Sequence, residues 1–190
     1  PVQINSTADQ SAGYYTIPKF AFASSQGKTF TFTRDVTFEK LTSQSESITA
    51  IGNQLMYEGI LQEYPVVTSI GEKFEVINLL PGGDTTIDHF NIFVYVKEIN
   101  EQNKWYEWNR VPSIYLAKPN ERVFEIRYNE NKNYELKFGN NVNGRKLTQG
   151  DQVAIYYLKS AGVDGKVTKN TFNNNTVNIY NTVQYDSILS

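Results

Sequence analysis

The single histidine of the chain, His89, lies directly after Asp88 and five residues after Asp84. An imidazole and two carboxylates this close together could ligate a transition metal or form part of a Ser-His-Asp triad. A metal site needs at least three well-placed ligands, however, and the Gly82-Gly83 turn beside these aspartates is a place where aspartate is common for backbone reasons. No Gly-x-Ser-x-Gly motif is present to supply a nucleophile. The pattern therefore favours a structural turn, and we predict neither a metal site nor a triad.

Acidic residues could also act in pairs, because glycoside hydrolysis requires two facing carboxylates. The chain has 20 aspartate and glutamate residues, so such a pair is easy to propose and impossible to locate from the sequence. Most of them occupy polar positions of alternating strands, as Glu125 and Glu135 do, which favours a solvated face. A hydrolase is therefore the least favoured hypothesis. We predict no enzymatic activity, no catalytic residue and no cofactor.

Residues 139–146, GNNVNGRK, combine two glycines with two basic side chains, as phosphate-binding loops often do. They match neither G-x-G-x-x-G nor G-x-x-x-x-G-K-[ST], and a strand-like segment follows where a phosphate-binding loop needs a helix. We interpret the segment as a structural loop in which glycine and asparagine meet the needs of the backbone. The residues of this predicted turn motif are Gly139, Asn140, Asn141, Gly144 and Gly150.

An aromatic cluster, Trp105, Tyr106 and Trp108, is the candidate interface of the chain. On a strand, Trp105 and Glu107 would point to one side, and Tyr106 and Trp108 to the other. One tryptophan would then lie near the surface or against another part of the protein. Exposed tryptophan and tyrosine anchor protein interfaces and also stack on sugars. The alternative, that both faces are covered within the subunit, stays open.

We expect strands to position the candidate residues, because aromatic residues, which favour strands, make up 14% of the chain and alternating apolar and polar patterns recur along it. The turn signals between them predict a mainly β fold, with antiparallel, β-sandwich-like subdomains and short helical turns at most. Pro18 removes one hydrogen-bond donor, so its strand should be bulged or lie at an edge. The predicted strands include 14–23 and 29–38, paired as a hairpin, and 74–80, 90–99, 104–111, 122–128, 134–138 and 153–158.

The domain organisation that we predict has three parts: an N-terminal β-hairpin region at 1–45, a β core at 46–160, and a polar connecting strand or linker at 161–190. The chain starts with proline, and its only methionine is Met56. We therefore expect it to be a fragment of a longer protein.

Charge and composition exclude several classes of function. The net charge is −2, with 18 basic and 20 acidic residues and no run of lysine and arginine, so we predict no nucleic-acid partner. There is no cysteine, which excludes disulfides and thiolate metal sites. No stretch approaches the roughly 20 apolar residues that span a bilayer, so we predict no membrane partner.

The segment around the glycines resembles the signature of baseplate J-like proteins. Those proteins have an FGDGxxG-type pattern, a Pro-Gly turn, an apolar strand ending in tyrosine, and a glycine-rich end. Here residues 138–145 are followed by Gly150 and the strand 153–157. Asn140-Asn141 replaces the usual Asp-Gly pair, and Thr148-Gln149 stands where prolines are common.

Flanking segments follow the same family layout in the same order. Residues 162–167, GVDGKV, resemble the family's final glycine segment, with Lys166 in place of asparagine. Trp105, about thirty residues before Phe138, and the segment 14–20 also fit. The resemblance covers most of residues 10–168.

This resemblance implies a structural protein of the tail baseplate of contractile-tailed, T-even-like bacteriophages. Such a subunit is assembled in the host cytoplasm and ends in the virion. It would associate with itself, as a homodimer or ring, and with other baseplate wedge proteins around the central hub. The ring rearranges to trigger sheath contraction. Because of their glycine and asparagine content, Ser160–Gly165 and the polar tail are the hinge or linker candidates of the chain. The alternative is a carbohydrate-binding β-sandwich module with Trp105 and Trp108 as stacking platforms.

Overall fold

The computed structural model describes residues 13–40, 49–50, 55–82, 86–131, 133–168 and 179–180. Contacts group these residues into two compact units. Unit one contains the described residues up to Leu61 and those from Ser160 onwards, and unit two is Gln62–Lys159. The predicted domain bounds stay a prediction, although this grouping joins the described part of 46–61 to the N-terminal residues.

Strands dominate both units, which confirms the predicted mainly β class. Helical structure in the described residues is limited to two short 3-10 turns, Ile114–Leu116 and Gly162–Gly165. None of the helical segments described is long and apolar enough to cross a bilayer. The strands are β1 (Gly13–Ile17), β2 (Phe22–Ser25), β3 (Lys28–Thr31), β4 (Val36–Lys40), β5 (Thr49–Ala50), β6 (Tyr57–Glu58), β7 (Ile60–Thr68), β8 (Val76–Leu79), β9 (Ile87–Glu98), β10 (Lys104–Val111), β11 (Val123–Tyr128), β12 (Tyr134–Lys137), β13 (Gln152–Lys159) and β14 (Ile179–Tyr180).

Unit one is built on the predicted N-terminal hairpin, whose arms pair antiparallel as β2 with β3 and β1 with β4. The prediction of one continuous strand over 29–38 is wrong, because each arm is broken in the middle. Pro18 ends one arm's ladder, and Phe20 has a positive φ of 72°. On the other arm the Asp35 carboxylate accepts the Lys19 N–H at 2.7 Å. The two halves of the hairpin therefore belong to separate sheets, ordered β1-β4-β5 and β14-β2-β3-β6.

Burial in unit one follows the predicted alternation only in part. Phe30, Phe32 and Val36 are buried, as their shared face requires. Thr31 was expected on the polar face but is also buried, and its hydroxyl donates to the carbonyl of Gly59 at 2.8 Å. The side chain of Phe38 lies outside the described part of the chain.

Unit two is one seven-stranded sheet in the order β7-β13-β9-β10-β11-β12-β8. Strand β9, predicted to be central, lies between β13 and β10. The pairs β9–β10, β9–β13, β11–β12 and β8–β12 are antiparallel, whereas β10 and β11 are parallel. This exception to the expected antiparallel pairing arises because residues 112–122, with their 3-10 turn, carry the chain back along the sheet.

Side chains from all seven strands of this sheet meet in one apolar cluster, so the sheet curls around its own core. Strand β13 is buried on both faces from Val153 to Leu158. The two edge strands, β7 and β8, are consecutive in the chain and line a common cleft. The fully or nearly fully buried members of the cluster include Leu79, Val94, Val96, Trp108, Phe124, Leu136, Phe138, Leu147, Val153 and Ile155.

Candidate functional site

The glycine loop, defined here as Phe138–Asp151, connects β12 to β13 and contains all five residues of the predicted turn motif. A Cβ at Gly139 would overlap the carbonyl of Gly144, so no larger residue fits there. Gly144 has a φ of +72°, and a Cβ on it would lie 2.9 Å from Ile114 Cδ1. Both glycines are therefore required by close packing and backbone geometry, as the structural interpretation of this loop expects.

The two asparagines of the loop organise its backbone. Asn140 Oδ1 accepts the N–H groups of Val142 at 2.9 Å and Asn143 at 2.7 Å, which forms an Asx turn. Asn141 has a φ of 69°, and its Oδ1 accepts the N–H of Lys146 at 2.8 Å. Each side-chain oxygen is thus used to hold the turn.

Backbone hydrogen bonds join the glycine loop to two other connections of unit two. Most of them go to the β7–β8 connection, and one goes to the end of the β10–β11 connection. Loop atoms are therefore fixed relative to strands that are distant in sequence. These bonds are Phe74 N to Gly139 O, Phe138 N to Glu75 O, Gly150 N to Ser69 O, Ser69 N to Asp151 O, and Arg145 N to Glu121 O, all 2.8–3.1 Å long.

Asp151, buried at the end of the loop, adds a third connection. Its Oδ1 accepts the N–H of Ile99, which follows β9, at 3.0 Å. Its Oδ2 accepts the N–H of Thr148 at 2.8 Å. Both carboxylate oxygens are therefore used by the backbone, as in a capped turn.

Glu75, another buried carboxylate, holds the β7–β8 connection. It accepts the hydroxyl of Ser69 at 2.7 Å and the N–H groups of Ile70 and Gly71 at 3.1 Å each. A carboxylate that accepts three hydrogen bonds from neighbouring residues fixes a tight turn.

Glu98 is the centre of an ion-pair network and is only 2% exposed. It accepts Trp108 Nε1 at 3.1 Å, Arg122 Nε at 2.7 Å and Arg145 Nη2 at 2.9 Å. The guanidinium of Arg122 also lies 3.9 Å from the centroid of the Tyr106 ring. Hydrogen bonding to Glu98 raises the pKa of Arg122. The network links the end of β9 to β10, to the start of β11 and to the glycine loop.

Glu125 is the fourth buried carboxylate that bears on this region. Burial raises its pKa, but hydrogen bonds from the Ile114 N–H at 2.9 Å and Arg127 Nε at 2.6 Å outweigh burial and hold the pKa below the ordinary value. In the described residues, every buried side-chain nitrogen and oxygen has a hydrogen-bond partner. None of these carboxylates is thus left free to act as a general acid or base.

The predicted aromatic interface needs a correction. The alternation is right, but Trp108 is 2% exposed and lies in the core against Phe138, with ring centroids 5.6 Å apart. It is therefore not a surface anchor or a platform for a sugar. Tyr106 is half-buried beneath Arg122, and Trp105 is half-buried on the other face of β10. The burial of Trp108 follows from its inward register, which also brings its N–H to Glu98.

Both the backbone carbonyl and the ring of His89 contact a neighbouring arginine. Arg110 donates to the His89 carbonyl at 2.7 Å, and its Nη2 lies 2.8 Å from His89 Nε2. Partial burial and then the charge of Arg110 lower the pKa of His89, against the opposing effect of Asp88. The carboxylate of Asp88 accepts the Phe90 N–H at 2.9 Å, and Asp84 lies outside the described residues. Across the described ranges, no group of three His, Cys, Asp or Glu side chains is placed to hold a metal ion.

A cleft of about 540 Å³ separates the edge strands β7 and β8. Tyr64, Val67, Phe74 and Val76 contribute to its lining, together with Glu75. Of the two carboxylates in the lining, Glu75 is bound to three donors and Glu72 is exposed.

The sequence reasoning missed the ion-pair network. One signal could have found it: Glu98 has the same parity as the buried Val94 and Val96 on β9, so alternation places its charge on the core side. A buried charge requires a partner, which predicts a nearby arginine. Which arginine it is cannot be read locally, because Arg122 and Arg145 are 24 and 47 residues away in the chain.

No protein-family model matches this chain, and no curated protein matches it either.

Proposed function

We propose that this protein is a non-enzymatic structural component of the baseplate of a contractile phage tail. In this role it assembles with itself and with other wedge proteins around the hub, and it moves as part of the ring when the sheath contracts. The proposal starts from the resemblance of residues 10–168 to baseplate J-like proteins.

The observation that best supports a mechanical role is the way the glycine loop is used. It bonds to the β7–β8 and β10–β11 connections, to the backbone beyond β9 and, through Arg145, to Glu98. The buried carboxylates Glu75, Glu98, Glu125 and Asp151 accept donors that fix turns and strand ends. Conserving shape under load needs such cross-links, whereas catalysis needs an acid, base or nucleophile that is free to react.

The two asparagines of the loop also support the resemblance. Asn140 supplies a side-chain oxygen to two N–H groups, as the family's aspartate could. Asn141 has a positive φ, a conformation that glycine and asparagine adopt most readily. The Asn-Asn pair can therefore build the turn that Asp-Gly builds in the family.

Immuno-electron microscopy tests the proposal directly. Antibodies raised against this chain should label the baseplate end of contractile-tailed particles made from the genome that encodes it. Disruption of its gene should give particles or sheath assemblies without a complete baseplate. Labelling of the capsid or of the sheath alone, or normal baseplates after disruption, would contradict the proposal.

A further inference from the structure

One surface of unit two combines exposed apolar side chains with a fixed positive charge. We call it the Tyr115 face and define it by Phe74, Tyr115, Leu116, Lys137 and Val142. Tyr115 is 53% exposed, Leu116 is 85% exposed and Val142 is 65% exposed. Exposed bulky apolar side chains grouped in this way are typical of binding surfaces.

Hydrogen bonds hold the parts of this face in place. Asn143 Nδ2, in the glycine loop, donates to the carbonyl of Tyr115 at 3.1 Å. This bond places the 3-10 turn that carries Leu116 beside the loop that carries Val142. The rings of Phe74 and Tyr115 lie 5.6 Å apart. The surface is therefore preorganised, which lowers the entropic cost of binding a partner.

The ammonium of Lys137 is fixed between the two rings. It lies 4.6 Å from each ring centroid and 2.9 Å from the Tyr115 hydroxyl. An ammonium group has three donors, and the hydroxyl takes one of them. This cation is thus held at a defined place by aromatic contacts rather than by a carboxylate.

Two further lysines lie in the connections that form the face. Lys146 lies nearby with its Nζ 2.9 Å from the carbonyl of Gly71, and Lys73 is exposed beside Phe74. Among the described residues, no salt bridge joins a carboxylate to Lys73, Lys137 or Lys146. Glu125 lies across from Lys137 in the β11–β12 register, and the charge of Lys137 helps to lower the pKa of Glu125. The hydrogen bonds of this buried carboxylate nevertheless go to Ile114 and Arg127, which leaves the Lys137 ammonium without a carboxylate ligand. Positive charge is therefore available to an acidic partner.

We propose that the Tyr115 face is a docking site for a segment of a partner protein that carries carboxylates and bulky apolar side chains on the same side. The carboxylates would meet the lysines, and the apolar side chains would pack on Tyr115, Leu116 and Val142. This inference rests on the proposed function, in which the protein binds other assembly proteins. An anionic membrane is the other class of partner that lysines attract, but Glu72 and Glu121, exposed in the flanking connections, oppose a broad anionic surface more than a short segment bound on the face.

The test uses a blocked peptide in which glutamate and leucine take turns at every second position and serine fills the other positions, so that both side-chain types share one side. It is titrated into isotope-labelled protein at low salt and followed by the amide shifts of the protein. Saturable shifts should concentrate at residues 73–76, 115–116, 137 and 142–146. Lys137→Gln should weaken binding about tenfold, because it removes a charge-assisted contact. Leu116→Ser should weaken it by several fold through lost apolar contact. Lys159→Gln is the matched control, since this exposed lysine lies at the opposite end of β13 from the glycine loop.

The outcomes separate the alternatives. Equal binding of a peptide in which serine or lysine replaces the glutamates, shifts centred elsewhere, or an unchanged affinity in both variants would overturn the inference. Binding to phosphatidylserine vesicles that both variants abolish would assign the face to a membrane and overturn it too. Leu116→Ser decides the matter if Lys137→Gln does not fold, because a side chain this exposed contributes little to the core. Baseplate labelling without peptide binding would remove this inference and leave the proposed function in place.

Discussion

Asn141 illustrates how one side chain can be selected by its backbone. Its φ of 69° lies in the left-handed region, where a side chain with a branched Cβ is strongly strained. Its Oδ1 also accepts the Lys146 N–H at 2.8 Å. The residue therefore serves the loop twice, through its conformation and through its side chain.

Replacing Asn141 tests these two contributions. Asn141→Val should lower the free energy of unfolding by about 2–3 kcal/mol, because it adds backbone strain and removes the hydrogen bond. Asn141→Gly should cost about 1 kcal/mol or less, because glycine accepts the conformation. Urea unfolding of both variants measures the difference. Equal stability of the valine and glycine variants would show that the loop is not held in this conformation.

Of the charged side chains described, Glu98 is the one whose replacement should lower the free energy of unfolding of unit two most. Glu98→Gln leaves Arg122 and Arg145 without their buried counter-charge, so we expect a loss of about 3 kcal/mol in the free energy of unfolding. Glu130→Gln is a matched exposed control and should stay within about 0.5 kcal/mol of the parent. Denaturant titration of both variants makes the comparison. A Glu98 effect no larger than the control would mean that the network contributes little.

His89 predicts a dependence of stability on pH. Its folded pKa is lowered from 6.5, chiefly by burial and by Arg110, so the unfolded chain binds the proton more tightly than the folded protein does. The stabilising contribution is present above pH 6.5 and is lost as the pH falls through this value towards the lower folded pKa. Melting temperatures measured on both sides of this value should fall less in His89→Gln than in the parent. Identical pH profiles would rule out a role for His89 in acid sensitivity.

Local alternation predicted much of the element structure of unit two. Strands β10, β11 and β13 match the predicted ranges within a residue at each end, because a period of two is visible in a short window. The break between β3 and β4 was missed, because the Asp35–Lys19 contact that accompanies it joins two arms of a hairpin. The parallel pairing of β10 with β11 was missed for the same reason: pairing is decided by tertiary contacts, which local pattern does not contain.

For the candidate site, too, the sequence predicted the features that depend on local backbone conformation and left open those that depend on tertiary contacts. The turn role expected of the glycines and asparagines agrees with their geometry, because the special backbone conformations that they tolerate are a local property. The burial of Trp108 was left open, since alternation identifies two faces but does not say which one meets the core. The face that Trp108 shares packs against Phe138, thirty residues further along the chain, a contact that local pattern does not contain.

The segment predicted to be a hinge, Ser160–Gly165, is held at its start by β6. The Glu58 carboxylate accepts the Ser160 hydroxyl at 2.8 Å and the Ala161 N–H at 3.1 Å. Glu58→Gln should loosen this turn and accelerate amide hydrogen exchange at Ala161 and Gly162 by about tenfold, which corresponds to roughly 1.4 kcal/mol. Glu72→Gln, also in a connection, should leave these amides unchanged. Exchange rates that do not respond to Glu58→Gln would show that the contact does not limit motion there.

For the whole molecule, the main competitor of the assembly role is carbohydrate binding. With Trp108 buried, only Trp105 of the two proposed platforms is accessible. We expect no robust signal on a glycan array from these two residues, because Trp108 is buried and Trp105 is half-buried, whereas stacking on sugars needs an exposed ring face. Strong binding that Trp105→Ala abolishes, with the circular dichroism spectrum unchanged, would favour the carbohydrate-binding alternative over the proposed function.

The order of strands in unit two has a mechanical consequence. Strands β7 and β8 flank the cleft, yet in the described sheet they are not hydrogen-bonded neighbours. The curled sheet is thus open along the seam between β7 and β8, and the turn held by Glu75 joins the two strands at one end. Under torque, the distance between β7 and β8 can change without breaking the hydrogen bonds of any strand pair in the sheet. In the proposed assembly role, this open seam is the place where the unit would change its width when neighbouring subunits move.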